Sequence, residues 1–589
     1  MTARVLSRLL HRIGRRDLPV WYSPAYRLPM TGIEATVGLQ SRRADEAIWW
    51  LLDSRAVRQE LIRTPRPVTY RELDRVHTLE LLESLGRPET LARIFAVDPS
   101  DVPVDELMRT VQLACGATVD AAREALRRRG PAMNLQGGFH HAGPGSAGGF
   151  CPVNDVAVAV AALRAEGFGG RVAVLDLDAH PPDGIAACLA HDPSCWLGSL
   201  SGSDWGPLPG VDETVLREGA GDALYLAALA GLLGRMPRPA LAFVLAGGDV
   251  LRGDRFGRLG LTVGGARQRD HEVARALLGT PSVWLPGGGY HKDSWRVLAG
   301  TAMVLSSRFR TPIPERYDPV SARFAGISAE LLASDLGDSD FKAEDLEEAL
   351  GLSPERRRQR LLLGYYTAVG LEHALYRYGV LDYLVRIGFG ALRVGLDRSG
   401  LGERMRVFGR TLGPGGALEG EEQLLIELVL ERRHLHGAEV LYVHWLSLRH
   451  PRAHFSPLRP RLPGQDVPGL GLAREMGELL ALMARRLGLA AVVFRPAHYH
   501  TAYTARHNFT FGDPERQGRF EALVRDLAAI PLLEATTAVS EGRVLLGGGA
   551  YSWEADEMIL WLRGPAAEQR ERADLERARC NFTVSPRKS

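Results

Sequence analysis

Asp176, Asp178 and His180 stand at alternate positions where an apolar run, RVAVLDLDA, gives out. In a strand, that alternation points all three side chains to one side. A second apolar run, PALAFVLAGGD, ends in Asp249. Two carboxylates and an imidazole drawn from different strand ends make an oxygen- and nitrogen-ligated metal site with an open position, a donor set that suits catalytic zinc. Spacing alone does not require this, because strand-end aspartates also serve as helix caps. Two further segments add chemistry. GGFHHAGPGSAGGFC sets His140 and His141 side by side in a glycine-rich loop that leads to Gly149, Phe150 and Cys151. Adjacent histidines there are poor core material, and glycines admit close ligand approach. LPGGGY presents Tyr290 after three glycines. Its hydroxyl can donate to a developing oxyanion, or its ring can pack at a rim.

The elements that must carry these residues are strands alternating with helices. RVAVLDLDA, PALAFVLAGGD and PSVWLPGGGY are near-continuous apolar runs, as in strands buried on both faces of a parallel sheet. VNDVAVAVAALRAEG and GDALYLAALAGLLGRM between them read as helices. The expected fold class is therefore α/β with a parallel sheet, ligands sitting beyond the carboxyl ends of its strands. Residues 18–315 form this catalytic domain, after a basic amphipathic segment over 1–17 that lacks the apolar stretch of a secretory signal. Residues 316–435 read as a charged helical and linker region, GRTLGPGGALEGEE marking a loop. Residues 436–589 form a smaller α/β domain, with AEVLYVHWLSL and AAVVF as strands and LAREMGELLALMARRLG as an amphipathic helix.

Composition bounds the function. The 589 residues are 45% hydrophobic and 24% charged, the mixture of a soluble globular chain of two to four folding units. No apolar run reaches the roughly 18 residues that span a bilayer. Seventy-two basic against 70 acidic residues leave a formal charge of +2, too balanced to suggest a nucleic-acid binder. Five cysteines without a CxxC pair fit a reducing cytoplasm better than a disulfide scaffold. Only three of the basic residues are lysines, a skew expected of a GC-rich bacterial genome.

FHHA, GFCPVND, DLDAHPPDG, AGGDVLRGDRFGRLGLT and PGGGYHKDSW, in that order, resemble the zinc-dependent histone deacetylase family, with its arginase/deacetylase α/β fold. YSPAYRLP and YRELDRVHT resemble that family's N-terminal region. The resemblance covers about half the chain and implies a set of roles. Asp178, His180 and Asp249 become ligands of zinc or iron. His140 and His141 handle protons, His141 as general base, with Asp176 and Asp183 orienting the two imidazoles. Tyr290 becomes the oxyanion donor, and Phe150 with Gly149 walls a narrow tunnel for an acyl-lysine or acylated polyamine-like chain. The Asp176–His180 segment with Ser199 and Leu200 resembles the family's structural potassium site. The implied reaction removes an acetyl or short acyl group from an amine. The competing expectation is an inactive acyl-amine binder on the same fold.

This sequence also departs from the family pattern. Pro181 and Pro182 follow His180 where the family usually has His-Gly, and prolines fix the backbone and remove two N–H donors. Leu208 stands where an aromatic commonly faces Phe150. Asp98 and Asp101 are both candidates for the rim acid that grips substrate, and both also suit a turn. In the C-terminal part, Gln465, Gly469 and Gly471 precede a helix, an arrangement that resembles the acyl-CoA motif of GNAT-type acyltransferases and has a plain structural alternative. His498 and His500 form an HxH pair, a spacing mostly found in packing or on surfaces.

Overall fold

The structure is a computed structural model and describes residues 16–30, 33–307, 312–337, 361–435, 437–456, 459–563 and 570–585. Most of the basic N-terminal segment, and the charged stretch 338–360, lie outside the described residues. The chain divides into two compact units, Met1–Ala322 and Arg323–Ser589.

The first unit is built on eight strands: β1 Val20–Trp21, β2 Ile62–Arg63, β3 Pro131–Asn134, β4 Val172–Asp176, β5 Cys195–Ser201, β6 Val211–Val215, β7 Leu241–Leu245 and β8 Ser282–Leu285. They form one sheet in the order β2-β1-β3-β8-β7-β4-β5-β6, every pair parallel. VAVLD in β4, LAFVL in β7 and SVWL in β8 are buried along their whole length. Runs with no polar face must be covered on both sides, which is why they sit at the centre of a parallel sheet. Helices supply the cover. α1 Arg43–Asp53, α2 Val104–Arg128, α3 Asp155–Ala165, α4 Asp183–Leu189, α5 Asp222–Arg235, α6 Val263–Ala276 and α7 Ser294–Ser306 fall into two packed groups. One joins α2, α3 and α4; the other joins α1, α5, α6 and α7. The α/β parallel-sheet architecture expected of an arginase/deacetylase domain is thus present. Its four central strands, β3, β8, β7 and β4, are neighbours in space although 131 and 285 bound them in sequence.

The second unit differs from the helical and linker reading of 316–435. Helices α8 Ala368–Arg377 and α9 Val380–Arg386 do occur, but residues 389–435 are mostly strand. β9 Phe389–Ser399, β10 Gly402–Leu412, β11 Leu418–Leu435 and β12 Ala438–Leu448 pair antiparallel in succession. The Gly/Pro run reduces to a tight turn at Pro414–Gly416, flanked by β10 and β11. The misreading has a physical cause. On β10 Met405 and Val407 are buried while Arg404 and Arg406 stay partly exposed, a period of two written in long charged residues, and on β11 a run from 425 to 430, buried but for the half-buried Glu427, is flanked by glutamates and arginines. Beyond β12 the chain crosses through α10 Ala473–Arg486 to β13 Ala491–Phe494, which pairs parallel with β12. α11 Tyr499–Ala505, β14 Thr510–Phe511, α12 Pro514–Asp526 and β17 Met558–Trp561 complete a seven-stranded sheet, β14-β17-β13-β12-β11-β10-β9. A smaller sheet holds β15 Val544–Leu546, β16 Gly549–Ala550 and β18 Phe582–Val584. No helix among the described residues is long and apolar enough to cross a membrane.

Candidate active site

The site lies where the carboxyl ends of β3, β8, β7 and β4 meet. β4 ends at Asp176, and the chain delivers Asp178 and His180 at once. From β7 it takes four residues to reach Asp249, from β8 five to reach Tyr290, and from β3 six and seven to reach His140 and His141. Among the described residues, one group of three or more metal-ligating side chains converges: Asp178, His180 and Asp249, with a ligand atom of each within 4.8 Å of the others. His180 Nδ1 lies 3.1 Å from Asp178 Oδ1 and 3.0 Å from Asp249 Oδ2. Both carboxylates are fully buried.

Burying two carboxylates together is unfavourable without a compensating positive charge. Burial and the adjoining Asp178 charge push the Asp249 carboxyl up to about 8. Burial opposes the charged form of His180, but the bonds to Asp178 and Asp249 outweigh it and raise the imidazole to about 11. The site therefore calls for a cation.

The paired histidines each have a carboxylate. His140 Nδ1 is 3.0 Å from Asp176 Oδ2, and His141 Nδ1 is 2.6 Å from Asp183 Oδ1. Their environments push them apart. Burial disfavours the His140 imidazolium, yet the charges of Asp176 and Asp178 raise it to about 9. For His141, burial and the neighbouring His140 lower the value, and Asp183 does not restore it. The two rings are thus shifted in opposite directions, His140 toward the protonated form and His141 toward the neutral one. Pro181 and Pro182 lead straight into α4, whose first residue is Asp183. A helix start needs no N–H from a proline, so the departure from the family pattern leaves that carboxylate in place.

Tyr290 follows Gly287, Gly288 and Gly289, a loop that lies against the buried carboxylates. A Cβ at Gly288 would stand 2.8 Å from Asp249 Oδ2 and 2.9 Å from Asp178 Oδ2. The loop carbonyls of Gly288 and Gly287 accept bonds from the Arg43 guanidinium at 2.6 and 2.7 Å. Burial and the charges of Asp178 and Asp249 hold the Tyr290 phenol well above its ordinary value, so it stays protonated.

Rings surround these groups. Phe150 lies 5.4 Å from Tyr290, and Phe256 meets Tyr290 edge-on at 4.7 Å. Phe150 adopts φ 64°, a left-handed conformation that costs a bulky residue about 1–2 kcal/mol and marks a place where geometry is imposed. Gly149 beside it is required: a Cβ there would come within 2.4 Å of the His141 ring. The ring stacked on His141, at 5.3 Å and 29°, is Trp205. Leu208, expected opposite Phe150, lies in a turn in which its carbonyl accepts the Val211 N–H. Asp98 spends Oδ1 on the backbone and hydroxyl of Ser100, capping the short turn Pro99–Asp101 that also contains Asp101. A pocket adjoins His140 and Tyr290, lined by Tyr26, Leu28, Phe95, Phe139 and Cys151 among others.

Three positions escaped the sequence reading although each touches the site's framework: Arg43, Asp155 and Asp254. Asp155 Oδ2 accepts Gly138 N–H at 3.0 Å and Oδ1 accepts Phe139 N–H at 2.8 Å, holding the loop before His140. Both acids lie inside quoted motifs, GFCPVND and AGGDVLRGDRFGRLGLT. Ser199 Oγ, beside Asp176 in the β4–β5 register, is buried without a hydrogen-bond partner. In the second unit, Gln465 closes its own turn by accepting Leu462 N–H at 3.1 Å, and Gly469 and Gly471 precede α10. His498 and His500 stack at 5.5 Å and join no converging metal group.

Residues 39–304 match the family model described as histone deacetylase domain. Histone deacetylase 2 of Arabidopsis thaliana is 29% identical over 318 residues, covering 51% of this chain and 81% of that protein. An uncharacterised protein of Picosynechococcus is 36% identical over 189 residues, 31% of this chain and 62% of its own length. A crystal structure titled as an HDAC homologue complexed with SAHA aligns at a TM-score of 0.39 with 22% identity, over 49% of this chain and 84% of that one.

Proposed function

We propose, from the premise that this chain belongs to the histone deacetylase family through residues 39–304, that it hydrolyses an acetyl or short acyl amide on a lysine side chain or a polyamine-like amine. The observation that carries the reading is the convergence of the Asp178–His180–Asp249 group, two oppositely tuned His–Asp pairs and Tyr290 on the ends of four neighbouring strands. The donor set, the buried carboxylates and the loop that leaves no room for a Cβ all fit a divalent cation, zinc or iron. When bound there, such an ion supplies Lewis acidity toward a carbonyl and a water of lowered pKa. Asp176 and Ser199, with its unpartnered buried hydroxyl, fit the potassium site that the family resemblance implies.

The chain's own groups divide the remaining work. His141, neutral and fixed by Asp183 through Nδ1, takes a proton from the attacking water at Nε2. His140, protonated and held by Asp176, returns one to the departing amine. The Tyr290 hydroxyl donates to the tetrahedral oxyanion. Phe150 and Phe256 pack beside Tyr290 and Trp205 stacks on His141, so rings flank the approach of the substrate chain.

The test is to offer the purified full chain acetyl-lysine peptides and acetylated polyamines, with and without a chelator. Turnover of at least one class is expected, abolished by the chelator and restored by zinc. A metal-loaded protein that binds these amides and hydrolyses none is instead the inactive binder.

A second reading concerns the other unit. The parallel pair β12–β13, joined by α10 behind Gly469 and Gly471, favours an acyl-CoA site, phosphates resting at the helix start. Acetyl-CoA should then raise the protein's thermal midpoint; an unchanged midpoint at saturating ligand removes this reading.

A further inference from the structure

We propose that Asp254 is the positioning residue that sets Tyr290 for oxyanion donation. The inference rests on the deacetylase reading above and adds to it a residue with no assigned role. One carboxylate, only 9% exposed, accepts four backbone N–H groups from two separate chain segments. Oδ1 takes Phe256 N–H at 3.0 Å and Gly257 N–H at 3.1 Å, and Oδ2 takes Tyr290 N–H and His291 N–H at 2.8 Å each.

The arrangement answers a mechanical problem. Gly287 and Gly289, at φ 54° and 150°, give the segment leading to Tyr290 little local stiffness. Its carbonyls are held by Arg43 and the Gly288 N–H by Asp178. Those bonds fix the start of the loop. Asp254 fixes its end, at the peptide of Tyr290 itself. The same carboxylate anchors the backbone of Phe256, whose ring meets the phenol ring edge-on. One anion thus holds the backbone beneath the phenol and the ring beside it. Oxyanion donors act only when preorganised, and displacement by about 1 Å costs roughly 100-fold in rate.

The test uses Asp254→Asn in the full-length, metal-loaded protein. An amide has one acceptor oxygen, so it can serve one pair of N–H groups and must turn its own NH₂ toward the other. The expected result is a kcat lower by roughly 10–100-fold, with KM within about threefold of the parent and metal content unchanged. Combined with Tyr290→Phe, the variant should be no more than about twofold slower than Tyr290→Phe alone, because both act through one hydroxyl. Multiplying losses, or a fall in metal content that accounts for the rate, would overturn the role of Asp254 while leaving the deacetylase reading intact. An active parent in which Tyr290→Phe changes nothing overturns the oxyanion role of Tyr290 and the proposal with it, whereas a parent that hydrolyses none of these amides overturns the deacetylase reading itself. Should Asp254→Asn fail to fold, hydrogen exchange on the parent decides. The Tyr290 and His291 amides are expected to be protected, and exchange at the rate of a free loop overturns the proposal.

Discussion

Asp178→Ala and His180→Ala proteins are expected to purify with little divalent metal and with turnover reduced by at least about 1000-fold, the scale of a lost Lewis acid and activated water. Each of the three converging side chains offers one ligand atom, so removing one leaves two, too few to hold a catalytic ion. Asp249→Asn should lower metal content and activity together, since an amide is a poorer ligand for a hard cation than a carboxylate. Asp178→Ala and Asp249→Asn relieve the crowding of two buried carboxylates, whereas His180→Ala removes the positive charge beside them, so circular dichroism accompanies the metal analysis. Metal analysis beside steady-state kinetics provides the check. Full occupancy in either alanine variant would remove these residues from the site.

Tyr290→Phe is the second large effect. Removing the hydroxyl deletes a hydrogen bond whose partner exists mainly in the transition state, so kcat should fall roughly 10²–10³-fold, or about 3–4 kcal/mol. Substrate affinity should move far less. Metal content should stay the same, because Asp178, His180 and Asp249 are untouched. The ring packs edge-on against Phe256 and near Phe150, contacts that phenylalanine keeps. Near-parental turnover in this variant, on a substrate the parent hydrolyses, would make Tyr290 a rim residue.

The two halves of the chain were unequally legible. In the first, unbroken apolar runs that end in acids or glycines read as strands buried on both faces of a sheet, so β4, β7 and β8 and the residues after them stood out. Asp155 and Asp254 did not, since the bonds that tie them to the His140 and Tyr290 loops go to backbone N–H groups 16 to 37 positions away, which leave no mark in side-chain pattern. Trp205 escaped for a related reason. It sits in an irregular loop, where no periodicity dictates which residue folds back over His141. In the second unit, charge misled: the arginines between buried residues on β10 and the glutamates around the buried run of β11 gave two strands a helical composition.

The adjacency of β3, β8, β7 and β4 has a thermodynamic consequence. The strands that deliver the segments near residues 140, 178, 249 and 290 are held together by ladder bonds in the most deeply buried part of the sheet. Such strands open at free energies close to that of unfolding the entire unit, whereas sites hung on peripheral loops come apart in small, cheap fluctuations. The constellation therefore has no partially assembled state of its own. A slip of β4 by one residue would turn Asp176 to the opposite face and displace Asp178 and His180, which follow it, from Asp249. Competence here is a property of the whole sheet, present or lost in one cooperative step.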